Sequence, residues 1–240
     1  MNNVKDQHKK RQTQTFSQIK IEQFWPILDR ETLAWIEIKQ DPHYALLSHA
    51  QIKRYVLESI QYGEAIAKQH TSKTQLKTLL NLLLQQGVQI KFIDLTHEKN
   101  EVRARYIRKP ATIEIFRSSL IQIEQFFNKM GYHLSIEDLI LLHVYHEWFH
   151  HLEETVIERT DETLPRILVK QTGPFKRYQT IAKTREIAAH TFTQHLLPIS
   201  WSPLLIDQLL LLSEKNVTKP QIREKFQELK QQAKTIFKEQ

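Results

Sequence analysis

Apolar residues recur at helical spacing along most of this chain, and the stretch Ile136–Thr155 (IEDLILLHVYHEWFHHLEET) carries the sharpest contrast between two faces. Ser135 stands before it with Asp138 three residues on, an approximate capping box with Asp in place of the usual Glu or Gln. No Gly or Pro interrupts the run. At about 100° per residue, His143, His146, Glu147, His150 and Glu154 fall within about a third of the helix circumference. Leu141, Tyr145, Trp148, Phe149 and Leu152 occupy the other side. Ionisable groups on one face and bulk on the other predict a core helix whose polar face lines a cleft.

The remaining pattern is mostly helical, with one change of period. Ile19–Gln40 mixes aromatic and apolar residues and begins folded structure around Phe24-Trp25-Pro26, and Asp41-Pro42 marks a helix start before the stripe at 44–69. Ser72 is placed to cap a further helix through Leu79, Leu80 and Leu83, closed by Gly87. Alternation then takes over in Val88–Leu95, Val102–Ile107 and Thr112–Phe116, three short strands with Lys109-Pro110 between the last two. Helical spacing returns from Ser118 to near Gly131. Beyond Thr155 lies a polar stretch with Pro165 and Gly173-Pro174 and no clear long element, suited to a loop that shapes access to a cleft. Helices are expected again over Arg177–Leu197, from Ser202-Pro203 through Leu212, and over Gln221–Lys238 behind Thr218 and Pro220.

Composition narrows the chemistry. The 240 residues are enough for a sizeable core, and with no cysteine the chain has no disulfide, thiolate metal site or thiol nucleophile. The amino end has no apolar h-region, and Leu204–Leu212 is too short for the ~20 residues of a membrane span. The expectation is a soluble, cytoplasmic protein without a membrane partner. The charge of +7 sits at the ends: residues 1–20 hold five Lys/Arg against one acid and 219–240 hold six against three, while 21–218 is neutral. Such ends are able to touch nucleic acid, but no recognised nucleic-acid motif accompanies them, so solubilising tails are favoured.

Within the amphipathic stretch, His146-Glu147-Trp148-Phe149-His150 spells H-E-x-x-H. Two histidines four apart project from one helix face close enough to share a metal ion, and the glutamate beside the first can act as general base toward a water that the metal activates. A catalytic zinc takes three protein ligands and keeps one open position. Glu186, in Glu186-Ile187-Ala188-Ala189-His190-Thr191-Phe192, is the favoured third ligand: small Ala189 permits close helix approach and Phe192 anchors the helix in the core. Glu153, Glu154 and His190 are the competing candidates. His143 is read as a second-shell, substrate-facing or plain structural histidine. His190, Tyr178 and Arg185 are possible second-shell or oxyanion groups, His151 faces away, and His195 is an exposed helix residue.

H-E-x-x-H followed by E-x-x-A-x-x-F and Leu196-Leu197-Pro198 resembles the ImmA/IrrE-like zinc metallopeptidases, zincins whose third ligand is a glutamate. The resemblance covers about residues 88–200. It implies an α+β, mainly helical fold, with a small three-stranded sheet packed on the metal-binding helix and one Zn2+ per chain. It further implies His146, His150 and Glu186 as ligands, Glu147 as base, and a protein substrate such as a transcriptional repressor. An edge strand before the metal helix would hold extended substrate, which points to Thr112, Ile113, Glu114, Ile115 and Phe116. The chain departs from the family pattern at Phe149, where a small residue is usual, and in the long separation between His150 and Glu186.

The organisation expected is a basic flexible tail at 1–18, an N-terminal helical region at 19–87, a zincin-like core at 88–200 and a helical extension at 201–240. The leading function is an intracellular zinc peptidase. The alternatives are a non-catalytic zincin-like regulator that binds a partner protein, and a nucleic-acid-binding protein that uses its basic termini.

Overall fold

The computed structural model describes residues 13–70, 75–94, 102–197 and 199–238. Nine-residue α1 (Arg30–Ile38) starts at the Asp29 cap, and α2 (His49–Lys68) starts at a Ser48–Gln51 capping box rather than at Asp41-Pro42, where a short 3-10 turn intervenes. Asp41 instead reaches across the fold, as described below. Helix α3 (Leu76–Gln85) leads into strand β1 (Gln89–Ile93); the Ser72 cap and Leu95 lie outside the described residues. Strands β2 (Ala104–Ile107) and β3 (Thr112–Phe116) precede α4 (Arg117–Asn128) and the motif helix α5 (Ile136–Thr155).

The protein is mixed α+β with a small three-stranded sheet of order β1-β3-β2, and β2 and β3 pack on α5. Strand β3 runs parallel to β1 and antiparallel to β2. This corrects the expectation that Thr112–Phe116 is an edge strand. Thr112, Ile113, Ile115 and Phe116 are all buried, which takes burial on both faces, and pairing on both sides leaves β3 no ladder for a substrate. The edge strands are β1 and β2, and of these β2 borders the cleft. The Arg103 carbonyl accepts from the Phe116 N–H (3.0 Å), so alternation turns the backbone groups of Ala104 and Tyr106 away from β3.

Two expectations for the region after α5 are also corrected. A single turn, α6 (Thr160–Thr163), is followed by a hairpin of β4 (Ile167–Thr172) and β5 (Phe175–Gln179), so the stretch is not a structureless loop. Gly173 at φ +58° makes the tight turn, and cross-strand pairing draws Arg177 into β5. Helix α7 therefore begins at Lys183 and runs to Leu196. The chain closes with α8 (Pro203–Glu214) and α9 (Lys219–Phe237).

Two apolar cores result. The larger joins Phe16, α3, the sheet, α4, α5, the inner face of α7 and α8, and reaches Phe226 of α9. The smaller joins α1, α2, Ile167, Ile181, Ile187 and the end of α9. Both draw on several of the segments expected from sequence, so those segments share cores. Packing also starts before Ile19: Phe16 is buried against Phe127 and Trp201, so residues 13–18 are not part of a free tail. Among the described residues no helix is long and apolar enough to cross a membrane.

Candidate metal centre

Helix α5 begins as its sequence predicts, with the Ser135 hydroxyl accepting from the Asp138 N–H (3.0 Å). Leu141, Tyr145, Trp148, Phe149 and Leu152 are buried, which fixes the rotation of the helix and turns His146, Glu147 and His150 into a cleft of about 810 Å³. Phe149 meets Phe192 and Tyr62 on the core side of the helix, so its bulk is taken up by packing away from the cleft.

Helix α7 is held from two sides. Phe192 packs against Tyr145, Trp148 and Phe149 of α5. On the other side α2 comes so close that a Cβ at Gly63 would lie 2.4 Å from the Ala188 carbonyl oxygen. No local side chain caps the amino end of α7; the Asp41 carboxylate accepts from the Lys183 N–H (3.2 Å), and the Lys183 ammonium donates to Glu37 of α1 (2.6 Å). These contacts set the axial position of Glu186, one turn into the helix.

The donor atoms converge. His146 Nε2 is 3.2 Å from Glu186 Oε2, His150 Nε2 is 3.5 Å from Glu186 Oε1, and the two Nε2 atoms are 3.3 Å apart. Zn–N and Zn–O bonds of 2.0–2.1 Å at tetrahedral angles put ligand atoms about 3.3 Å apart, and the two Nε2 atoms stand at that spacing with one Glu186 oxygen beside each. His146, Glu186 and His190 also form a cluster able to hold a metal ion, with donor atoms all within 4.8 Å of one another. His150 meets the other carboxylate oxygen of Glu186 from the neighbouring turn of α5. His190 has its ring centroid 4.4 Å from that of His146 and Nε2 3.6 Å from Asp207 of α8.

The ring nitrogen of His150 that faces away from the donors, Nδ1, is 3.1 Å from Glu153 Oε2. Glu153 is thus no competing ligand but the carboxylate that fixes the tautomer, leaving Nε2 free for a metal. Glu153 is itself buried and held by the Thr160 N–H (2.8 Å), the Thr160 hydroxyl (2.7 Å) and Arg185 Nε (2.8 Å). Burial would raise its pKa, but bonds to His150, Arg185 and Thr160 bring it below the ordinary carboxylate value. Arg185 also binds Glu154 (3.1 Å), so its guanidinium is occupied by carboxylates.

Charge follows the same geometry. In the metal-free protein, burial works to lower the pKa of His150, but Glu186, with Glu153 and Glu147, outweighs it and raises the pKa to about 10. Burial would raise Glu186, yet His150 and His146 hold it well below the usual carboxylate range. Glu147 moves the other way: burial raises its pKa, moderated by the two histidines and by the Tyr106 backbone N–H that donates to it. A buried carboxylate of raised basicity beside a metal-ligand cluster is suited to proton transfer.

Other sequence candidates are distributed as follows. His143 lines the cleft, donates Nδ1–H to the Leu139 carbonyl (2.8 Å), and is kept neutral by burial, with its pKa lowered to about 4. Tyr178 does not belong to the site: it lies on β5 opposite Leu168, about half exposed and away from the cleft walls. His151 is buried with Nδ1 3.0 Å from the Tyr106 hydroxyl, and His195 is exposed. Sequence reasoning missed Glu37, Arg103 and Asp207, all in the cleft wall. Arg103 binds Asp207, and burial lowers its pKa to about 10. The available signal for Glu37 and Asp207 was a lone carboxylate in an otherwise apolar helical run.

Comparison with models of protein families, with curated proteins and with solved structures gives no match to this chain.

Proposed function

We propose that this protein is a zinc-dependent peptidase that cleaves an extended segment of another protein. The observation that carries the reading is the convergence of His146 Nε2 and His150 Nε2, 3.3 Å apart, on the two oxygens of Glu186 at 3.2 and 3.5 Å, beside a buried carboxylate one residue along. The chemistry of the set fits zinc: two imidazoles and a carboxylate, one imidazole backed by the Glu153 carboxylate. A zinc ion held there would supply Lewis acidity, lowering the pKa of water and polarising a peptide carbonyl.

The chain's own groups divide the remaining work. Glu147 takes a proton from the attacking water and passes it to the leaving amine, a role its raised basicity supports. Glu153, held by Arg185 and Thr160, keeps His150 in the ligand tautomer. The outer edge of β2 lines the cleft, and with the Tyr106 N–H given to Glu147 it offers an extended peptide the Ala104 N–H and the Ala104 and Tyr106 carbonyls, in place of the β3 segment first expected. His190, backed by Asp207, is the group we assign to charge developing on the substrate oxygen. The motif resemblance adds a transcriptional regulator as the class of substrate.

The test is metal content and cleavage on the same samples. Wild-type protein dialysed against zinc should hold one equivalent, His146→Ala and Glu186→Ala should hold almost none, and Glu147→Gln should keep the metal while losing cleavage of a fluorogenic peptide library. Cleavage by Glu147→Gln at the wild-type rate would remove the mechanism. A zinc-free wild type would remove the site.

A further inference from the structure

The β4–β5 hairpin plays no part in the cleft, yet it is the most exposed element of the fold. Ile167 is buried and Val169 packs on the smaller core, which roots the hairpin; all residues from 170 to 178 are then exposed. Arg166, Lys170, Lys176 and Arg177 lie within 166–179, a stretch with no acidic residue. Among the described residues no carboxylate pairs with any of the four.

Their arrangement is costly for a free hairpin. Lys170 sits directly across from Arg177, and like charges in register destabilise a strand pair. Gln171 faces Lys176 and Thr172 faces Phe175. Because neighbouring residues on a strand point to opposite faces, Arg177 with Lys170 presents cations on one face and Lys176 on the other. A polyanion that surrounds the ribbon would relieve the repulsion and neutralise both faces at once.

We propose that this hairpin is a DNA-binding ribbon that enters the major groove of duplex DNA, with cations on its two faces reaching the phosphates on either wall. The B-form major groove, about 12 Å wide, admits a two-stranded β-ribbon. Double-stranded RNA does not fit, since its major groove is deep and narrow. Single strands are disfavoured because Phe175 (78% exposed) and Tyr178 (48% exposed) point to opposite faces and form no common stacking platform. A lipid surface would require one apolar and one charged face. This inference is independent of the peptidase reading.

The test uses the full chain and a labelled DNA duplex two helical turns long, followed by anisotropy through a salt series. One variant combines Lys170→Gln, Lys176→Gln and Arg177→Gln; a control removes the same charge at the amino end through Lys9→Gln, Lys10→Gln and Arg11→Gln. Wild type and Glu147→Gln should bind alike. The hairpin variant, with a melting temperature no lower than wild type, should bind at least tenfold more weakly, and its plot of log K against log salt should be flatter by about 2 to 3 units. The amino-end control should stay close to wild type. Absence of duplex binding, equal loss in the two triple variants, or tighter binding to the single strand or to phosphatidylserine vesicles would overturn the proposal.

Discussion

Substitution of Gly63 by Ala probes the packing that positions Glu186, the third ligand proposed above. Helices α2 and α7 share the most extensive helix–helix contact in the fold, and Gly63 is where they come closest. A Cβ there would lie 2.4 Å from the Ala188 carbonyl oxygen and 3.0 Å from Thr191 Cβ, whereas real Cβ contacts stay above 3.0 Å. The helices must therefore part by at least about 0.6 Å, since a backbone oxygen has no rotamer by which to retreat. Alanine returns about 1 kcal/mol through helix propensity. Overpacking against backbone costs about 3 kcal/mol, the upper end of its usual range, so the net loss is about 2 kcal/mol. For a chain of this length that is a fall of about 4–8 °C in melting temperature. Glu186 lies two residues before Ala188, so the same displacement pulls its carboxylate from His146 and His150 and should weaken zinc about tenfold. Thermal denaturation and competition with a chromophoric chelator measure both. A Gly63→Ala protein as stable as wild type, with unchanged zinc affinity, would refute the reasoning.

Glu153→Gln should lower zinc affinity by about 10- to 100-fold while His146, His150 and Glu186 remain intact, because the substitution weakens the group that orients His150; the same chelator competition checks it, and an unchanged affinity would sink the positioning role. The pH response has a definite sign. In the metal-free protein His150 is raised from its ordinary 6.5 to about 10, so its contribution to stability is complete below pH 6.5 and is lost as pH climbs through about 10. The melting temperature of chelator-treated protein should fall across that window, and His150→Gln should abolish the trend. Zinc affinity should rise over the same range, since the ion must displace the proton.

The helical part of the fold was legible because its signals are local. Ser135, the apolar face of α5, and Thr218 with Pro220 mark their elements through contacts within a few residues. Glu186 was singled out because its spacing from Ala189 and Phe192 encodes a close, anchored helix, and its carboxylate does lie beside His146 and His150. What escaped depends on distant partners. The order β1-β3-β2 is set by which strand is buried on both faces, and alternation alone does not say which edge stays open. Arg177 reads as helical until Lys170 is seen opposite it. Glu153 is three residues from His150, as a ligand or an orienting group would be, and only its four bonds decide between them. Asp41 looked like a local helix start but serves the amino end of α7, 142 residues away.

The donor set straddles the seam between the two cores. His146 and His150 ride on a helix whose apolar face belongs to the larger core, whereas the turn that carries Glu186 is rooted through Ile181 and Ile187 in the smaller one. An ion held there would tie the motif helix to the turn rooted in the smaller core. Conditions that loosen the packing of Ile181 and Ile187, remote from the histidines, would then weaken metal binding, and a bound ion would in turn steady that packing.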